Sequence, residues 1–214
     1  MKSIALTPAE VEKIRSGQKT QHRVVMKQPF TGFRSAEPGV DVSRSWFDDA
    51  GYRHVEFALP VDDACRLQVL SSPYPVEMPL DVAEPVRVTG HCLTSSKKSP
   101  HILVQYEDDP DDQVTDMAWP SSRQLPKIGS FIRGGAFGSL VRHRIMITAV
   151  SAQRLLAMTE REAILEGMGS PITRDCKLPG FQRQWMAKHR WPTMENAFVW
   201  VLSLSMAETP KFST

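Results

Sequence analysis

Hydrophobic positions along the chain change period several times, and each change marks an element. Val11 and Ile14 lie three apart on one face of a short helix that Leu6-Thr7-Pro8-Ala9-Glu10-Val11 starts. In that start Thr7 is the N-cap, Pro8 the first helical residue and Glu10 the reciprocal capping carboxylate, with Leu6 stapled on Val11. Gly17 stops the helix, because glycine takes the left-handed conformation a helix end needs. Lys2 to Leu6 is expected as a strand ahead of it and Val24 to Met26 as a strand after it, with Lys19, Thr20, His22 and Arg23 on the intervening tethered turn. From Phe30 to Ala50 glycine, proline, serine and charged residues predict a loop that carries Trp46. Val55, Phe57 and Leu59, then Cys65, Leu67 and Val69, alternate in the manner of a β-hairpin, and Ser72 to Pro75 reads as a turn.

Val86 to Leu93 and Ile102 to Tyr106 form the next antiparallel pair, followed by a long loop to Ile128 that holds Trp119. Val141 to Val150 is strand-like. Thr159-Glu160-Arg161-Glu162 is a second capping box and Gly167 the stop of its helix; a third helix over Phe181 to His189 turns Phe181, Trp185 and Met186 to the core. Asn196 to Leu204 is apolar on both faces, as a central buried strand requires. Many short strands, three short helices and no βαβ rhythm predict an α+β fold: a small mixed β-barrel with short helices at its ends and long loop insertions, near 30–53 and 107–138. The whole is read as a single domain over 1–206 with a tail at 207–214.

The 214 residues, 41% hydrophobic and 23% charged, suit a globular chain and exclude a disordered or fibrous one. Three cysteines far apart, Cys65, Cys92 and Cys176, exclude a disulfide scaffold or zinc ribbon, and the histidines show no metal-site spacing. No cofactor and no metal are expected. With no apolar run of spanning length and no leader-like start, no membrane association is expected, and the cytoplasm is the expected compartment. The net charge of +2 hides an acidic block from Glu107 to Asp116 and a basic later half that includes Arg142 and Arg144. That asymmetry fits a polyanionic partner or an ordinary solvated surface. Trp185 and Trp200 belong to apolar segments; Trp46 and Trp119 stand among polar residues, where they stack on a base or lid the core. No Gly-x-Ser-x-Gly elbow is present, and the Gly134–Gly138 stretch lacks the ending of a phosphate loop.

Three separated pieces share one pattern. The strand, capped helix and Gly-x-Lys-Thr-x-x-Arg turn from Ile4 to Arg23 come first. Next is Ile145-x-x-Thr-Ala-Val with Leu155, Thr159-Glu160, Ala163 and Glu166-Gly167, and the terminal Asn196-x-Phe-Val-Trp-Val comes last. In this order and spacing they resemble the ASCH superfamily of PUA-like β-barrels, and within it the phage and prophage ASCH-like proteins. The resemblance implies a barrel with a cleft beside the first helix and a role in binding RNA, modified nucleosides or modified bases; with the basic later half, the expected partner is RNA or DNA, or a modified nucleoside. One bacterial branch is a 4-acetylcytidine amidohydrolase: Lys19 matches its catalytic lysine and Glu166 its glutamate, while the position of its threonine nucleophile holds His22. The resemblance therefore gives Lys19 and Glu166 as catalytic candidates, and imidazole chemistry adds His22 as a base; Thr20 and Arg23 on the turn, Trp46 and Trp119 among polar residues, and the basic Arg142 and Arg144 are the candidate nucleic-acid contacts. Lys19 with Glu166 also reads as a structural salt bridge. Three functions stand open: nucleic-acid or modified-nucleotide binding, hydrolysis of acylated cytidine or of RNA, and capture of a host protein by the acidic block.

Overall fold

The computed structural model describes residues 2–31, 39–92, 100–106, 114–133, 140–168, 177–189 and 197–207. In chain order its elements are β1 (Ser3–Ile4), α1 (Pro8–Arg15), β2 (Gln21–Val25), β3 (Asp41–Phe47), β4 (Tyr52–Val61), β5 (Ala64–Pro75), β6 (Pro79–Val82), β7 (Pro85–Cys92), β8 (His101–Tyr106), β9 (Thr115–Ala118), β10 (Phe131–Arg133), β11 (Arg144–Arg154), α2 (Glu160–Leu165), α3 (Lys177–His189) and β12 (Phe198–Met206). This is a sheet-rich α+β protein with few helices. Among the described residues the sheets are open and no closed barrel is found. No described helix is long and apolar enough to cross a membrane. Cys65 and Cys92 are free thiols, and Cys176 lies outside the described residues.

Two compact units divide the chain. The first draws on residues 2–11 and 80–144. In it β1 runs parallel to β6, and β10, β7, β8 and β9 make an antiparallel sheet in that order. Val86, Val88, Ile102 and Val104 alternate inward from β7 and β8 and close a core with Tyr106, Met117, Trp119 and Leu140. The Tyr106 hydroxyl donates to the Leu140 carbonyl at 2.7 Å, which satisfies its one buried polar group.

The second unit draws on residues 12–79 and 145–207. β12 lies between β11 and β2, antiparallel to both, as its two apolar faces predict. β3, β4 and β5 form a separate antiparallel sheet. Val55, Phe57 and Leu59 point inward from β4, and Phe57 meets Phe198 of β12 edge to face at 4.8 Å between ring centres. A second cluster gathers Leu155, Met158 and Ala163 around Phe181 and Trp185 of α3 and Val199 and Val201 of β12.

Both capping boxes form. Thr7 Oγ1 accepts the Glu10 N–H while Glu10 receives the Thr7 N–H, and Thr159 and Glu162 repeat the arrangement at α2. Gly17 and Gly167 carry the positive φ expected at the helix stops, 74° and 86°. Elsewhere the structure corrects the reading. His22 and Arg23 lie on a strand, not on a turn, because Leu202 and Val201 of β12 pair with them. Residues 41–47 form β3 where a loop was expected, since the Asp48–Gly51 turn folds them back on β4. Ser72 to Pro75 continues β5 as far as the Tyr52–Pro75 pair. The long loop before Ile128 contains β9, and Met186 faces solvent rather than the core. The acidic residues 107–112 and the stretch 134–138 lie outside the described residues.

Candidate functional site

The chain brings residue 19 to residue 166 with backbone hydrogen bonds. The Lys19 N–H donates to the Lys13 carbonyl at the end of α1, and the Thr20 N–H donates to the Leu165 carbonyl at the end of α2. The Thr20 carbonyl in turn accepts the Leu204 N–H of β12 at 2.8 Å. This short segment is therefore held between two helix ends and the central strand. Gly167 permits the closeness: a Cβ there would stand 3.1 Å from Lys13 Cδ and 3.3 Å from Lys19 Cβ, in addition to the strain of its positive φ.

Lys19 and Glu166 meet directly. Lys19 Nζ lies 3.0 Å from Glu166 Oε2 and donates to the Glu166 carbonyl at 3.1 Å. Arg23, further along β2, donates from Nη1 to Glu166 Oε1 at 2.9 Å and from Nη2 to Gln153 Oε1 at 3.0 Å, with Glu162 Oε1 3.3 Å from Nη2. Both oxygens of Glu166 are thus taken by cations. Phe181 of α3 lies under the guanidinium, 5.9 Å from ring centre to Cζ. Two cations face two carboxylates, so the cluster is electrically balanced. It is also closed: Lys19, Arg23 and Glu166 are 3%, 3% and 7% exposed. The lysine and glutamate converge as the resemblance implies, but as a buried network and not on an open cleft.

Two polar atoms beside the network stay unmatched. Arg23 Nε and Gln21 Oε1 are buried and have no hydrogen-bond partner among the described residues. Residues two apart on a strand share a face, so an unmatched donor and an unmatched acceptor lie on the same face of β2.

Glu162 joins the network to the helix cap. Burial alone would raise its carboxyl above the ordinary value of 4.5, but the Thr159 N–H and hydroxyl, the Arg23 charge and Gln153 together lower it. A carboxyl lowered in the native state binds fewer protons than in the unfolded chain between the two values. Its stabilisation is complete above the unfolded value and is lost as pH falls through the native one. We therefore expect thermal stability to decline on acidification below pH 4.5, and Glu162→Gln to flatten that decline in melting curves taken across the range.

The remaining candidates stand apart from the network or beside it. His22 is buried on β2 opposite Leu202, and Thr20 is partly exposed. Trp46 lies on β3, with the His54 ring stacked at 5.5 Å and Arg44 5.1 Å from its centre. Trp119, Arg142 and Arg144 belong to the other unit. Trp119 is packed in that unit's core, where its polar chain neighbours gave no sign of burial. Arg142 donates to both oxygens of Glu84 and lies 3.6 Å from the centre of the Tyr106 ring; Arg144 Nε donates to Asp81 at 3.0 Å. Gln153, Glu162 and Gln21 were missed by the sequence reading, since Glu162 was recognised only as a cap. Among the described residues no group of three or more metal-ligating side chains gathers. No family model matches the chain, and neither a curated protein nor a solved structure matches it.

Proposed function

We propose that the chain is a cytoplasmic nucleic-acid or modified-nucleotide binding protein of the ASCH, PUA-like type found in phages and prophages, with Lys19, Arg23 and Glu166 as its recognition cluster. One observation carries the reading. A buried network of two cations and two carboxylates retains an unmatched donor at Arg23 Nε and an unmatched acceptor at Gln21 Oε1. Buried ion networks add little stability relative to apolar side chains of the same volume, so their retention calls for another use. An unmatched donor and acceptor on one strand face are the complement of a base edge, which offers an acceptor and a donor side by side; because both atoms are buried, a base reaches them only when the cover over the network opens. The contact between Lys19 and Glu166 is also the one the ASCH resemblance implies.

The hydrolytic reading, cleavage of acylated cytidine or of RNA, uses the same lysine and glutamate and differs in requiring turnover. The third reading, a host protein captured by the acidic block, rests on residues mostly outside the described ones.

The test is titration of the protein with RNA, with DNA and with 4-acetylcytidine over a range of salt. Polynucleotide affinity is expected to fall as salt rises, as counterion release requires. Gln21→Ala is expected to weaken nucleoside binding about fivefold while melting is unchanged, the loss of one hydrogen bond worth about 1 kcal/mol. Binding weaker than about 0.1 mM at low salt, or binding indifferent to Gln21→Ala, would overturn the proposal.

A further inference from the structure

A second constellation lies on the β3–β4–β5 sheet, and the network above plays no part in it. Asp48 begins the turn between β3 and β4, where its Oδ1 accepts the Ala50 N–H at 3.1 Å and the Tyr52 N–H at 2.8 Å. Its Oδ2 faces His54 Nε2 at 3.0 Å, and the other imidazole nitrogen, Nδ1, lies 2.8 Å from Ser71 Oγ. The His54 hydrogen bond, followed by that from the Tyr52 N–H, holds the Asp48 carboxyl below its ordinary value of 3.8. An ionised carboxylate only accepts, so Nε2 carries the hydrogen and the Nδ1 lone pair is turned to the serine hydroxyl. Strand register places Trp46 and Ser71 directly opposite His54 on its two sides, and the Trp46 ring stacks on the imidazole at an interplanar angle of 17°. The imidazole is thus fixed by a carboxylate, a hydroxyl and an indole.

We propose that Ser71 is an acyl-accepting nucleophile, with His54 its general base and Asp48 the positioning residue that fixes the tautomer. Nucleophile, base and orienting carboxylate within hydrogen-bond reach of one another are the arrangement acyl transfer needs. Ser71 Oγ bonds to the acyl carbon of an ester as His54 Nδ1 takes its proton. The ester C–O bond breaks and the alcohol leaves with that proton. Water then attacks the acyl-serine, gives a proton to Nδ1, and releases the carboxylic acid as the proton returns to Oγ. Leu67 and Val69 share a face of β5 with Ser71 at two-residue intervals and are 59% and 46% exposed. Val69, two positions from Ser71, is the one a short acyl chain reaches, so the substrate class is carboxylic esters with short apolar acyl chains.

The experiment follows p-nitrophenyl acetate and p-nitrophenyl butyrate hydrolysis by the full chain, with fluorophosphonate labelling mapped by mass spectrometry. The expected label is on Ser71, and Ser71→Ala abolishes both label and turnover. Asp48→Asn should lower kcat about 100-fold with KM kept, the scale of general-base catalysis. Val69→Ser should lower the butyrate rate relative to the acetate rate about threefold. Cys65 is an exposed free thiol on the same strand, and Cys65→Ser should keep full activity. All four positions have exposed or part-exposed side chains, so the variants fold. Turnover that survives Ser71→Ala, turnover lost with Cys65→Ser, or no hydrolysis above the uncatalysed rate would each overturn the proposal.

Discussion

Glu166→Ala is expected to destabilise the protein by about 3 to 5 kcal/mol, the usual result of removing one partner from a buried ion pair. The reason is geometric. Lys19 and Arg23 each spend a hydrogen bond on a different oxygen of Glu166, and neither side chain reaches solvent. Without the carboxylate, two positive groups remain side by side, with Glu162 the carboxylate still in contact with Arg23. For a chain of this size the melting temperature should drop by roughly 10 °C. Glu166→Gln keeps one acceptor without the charge and should fall between wild type and alanine. The double variant Lys19→Met with Glu166→Leu should recover much of the loss, because a matched apolar pair leaves fewer charges buried. Equal melting temperatures for wild type and Glu166→Ala would show that water screens the cluster and that it is not a buried network.

Gln28→Leu is the second large effect. Gln28 is completely buried, and its amide serves three backbone groups: Nε2 donates to the Met26 and Phe198 carbonyls at 2.8 and 2.9 Å, and Oε1 accepts the Phe198 N–H at 2.7 Å. Leucine fills similar space but pairs with none of them. Each stranded buried group costs about 1 to 3 kcal/mol, so a loss of at least about 3 kcal/mol is expected in denaturant unfolding. Amide exchange at Phe198 should accelerate with it. Slow exchange there in the variant would mean that the start of β12 is held by other contacts.

These two residues differ in how far the sequence exposes them. Glu166 follows a capping box and precedes a stop glycine, both short-range signals, and resemblance to a known pattern then pairs it with Lys19. Gln28 has no such signal: a glutamine before a proline looks like any loop residue until Phe198 is brought alongside. The helices were legible for the same local reason, since Thr7 with Glu10 and Thr159 with Glu162 are three positions apart. β3 was not, because all seven of its residues are exposed and show no buried alternation to read. Trp119 was misplaced by its polar neighbours, although β9 carries it into a core. Asp48, His54 and Ser71 meet through strand register, which depends on where a turn closes and not on spacing. Phe181 of α3 lies beside Arg23 of the network, a contribution to that site that no spacing announces.

The place of β12 has a consequence for how the chain is made. Gln28 and Phe198 are 170 positions apart, yet each completes the other's bonding. At a ribosomal rate of 5 to 20 residues per second, β2 waits on the order of ten to thirty seconds for the strand it must pair with. During that interval Lys19 and Arg23 lie open to water, and the unpaired margin of β2 is available to any other nascent polypeptide. A long wait with one strand unpaired is the cost of building the middle of a sheet last.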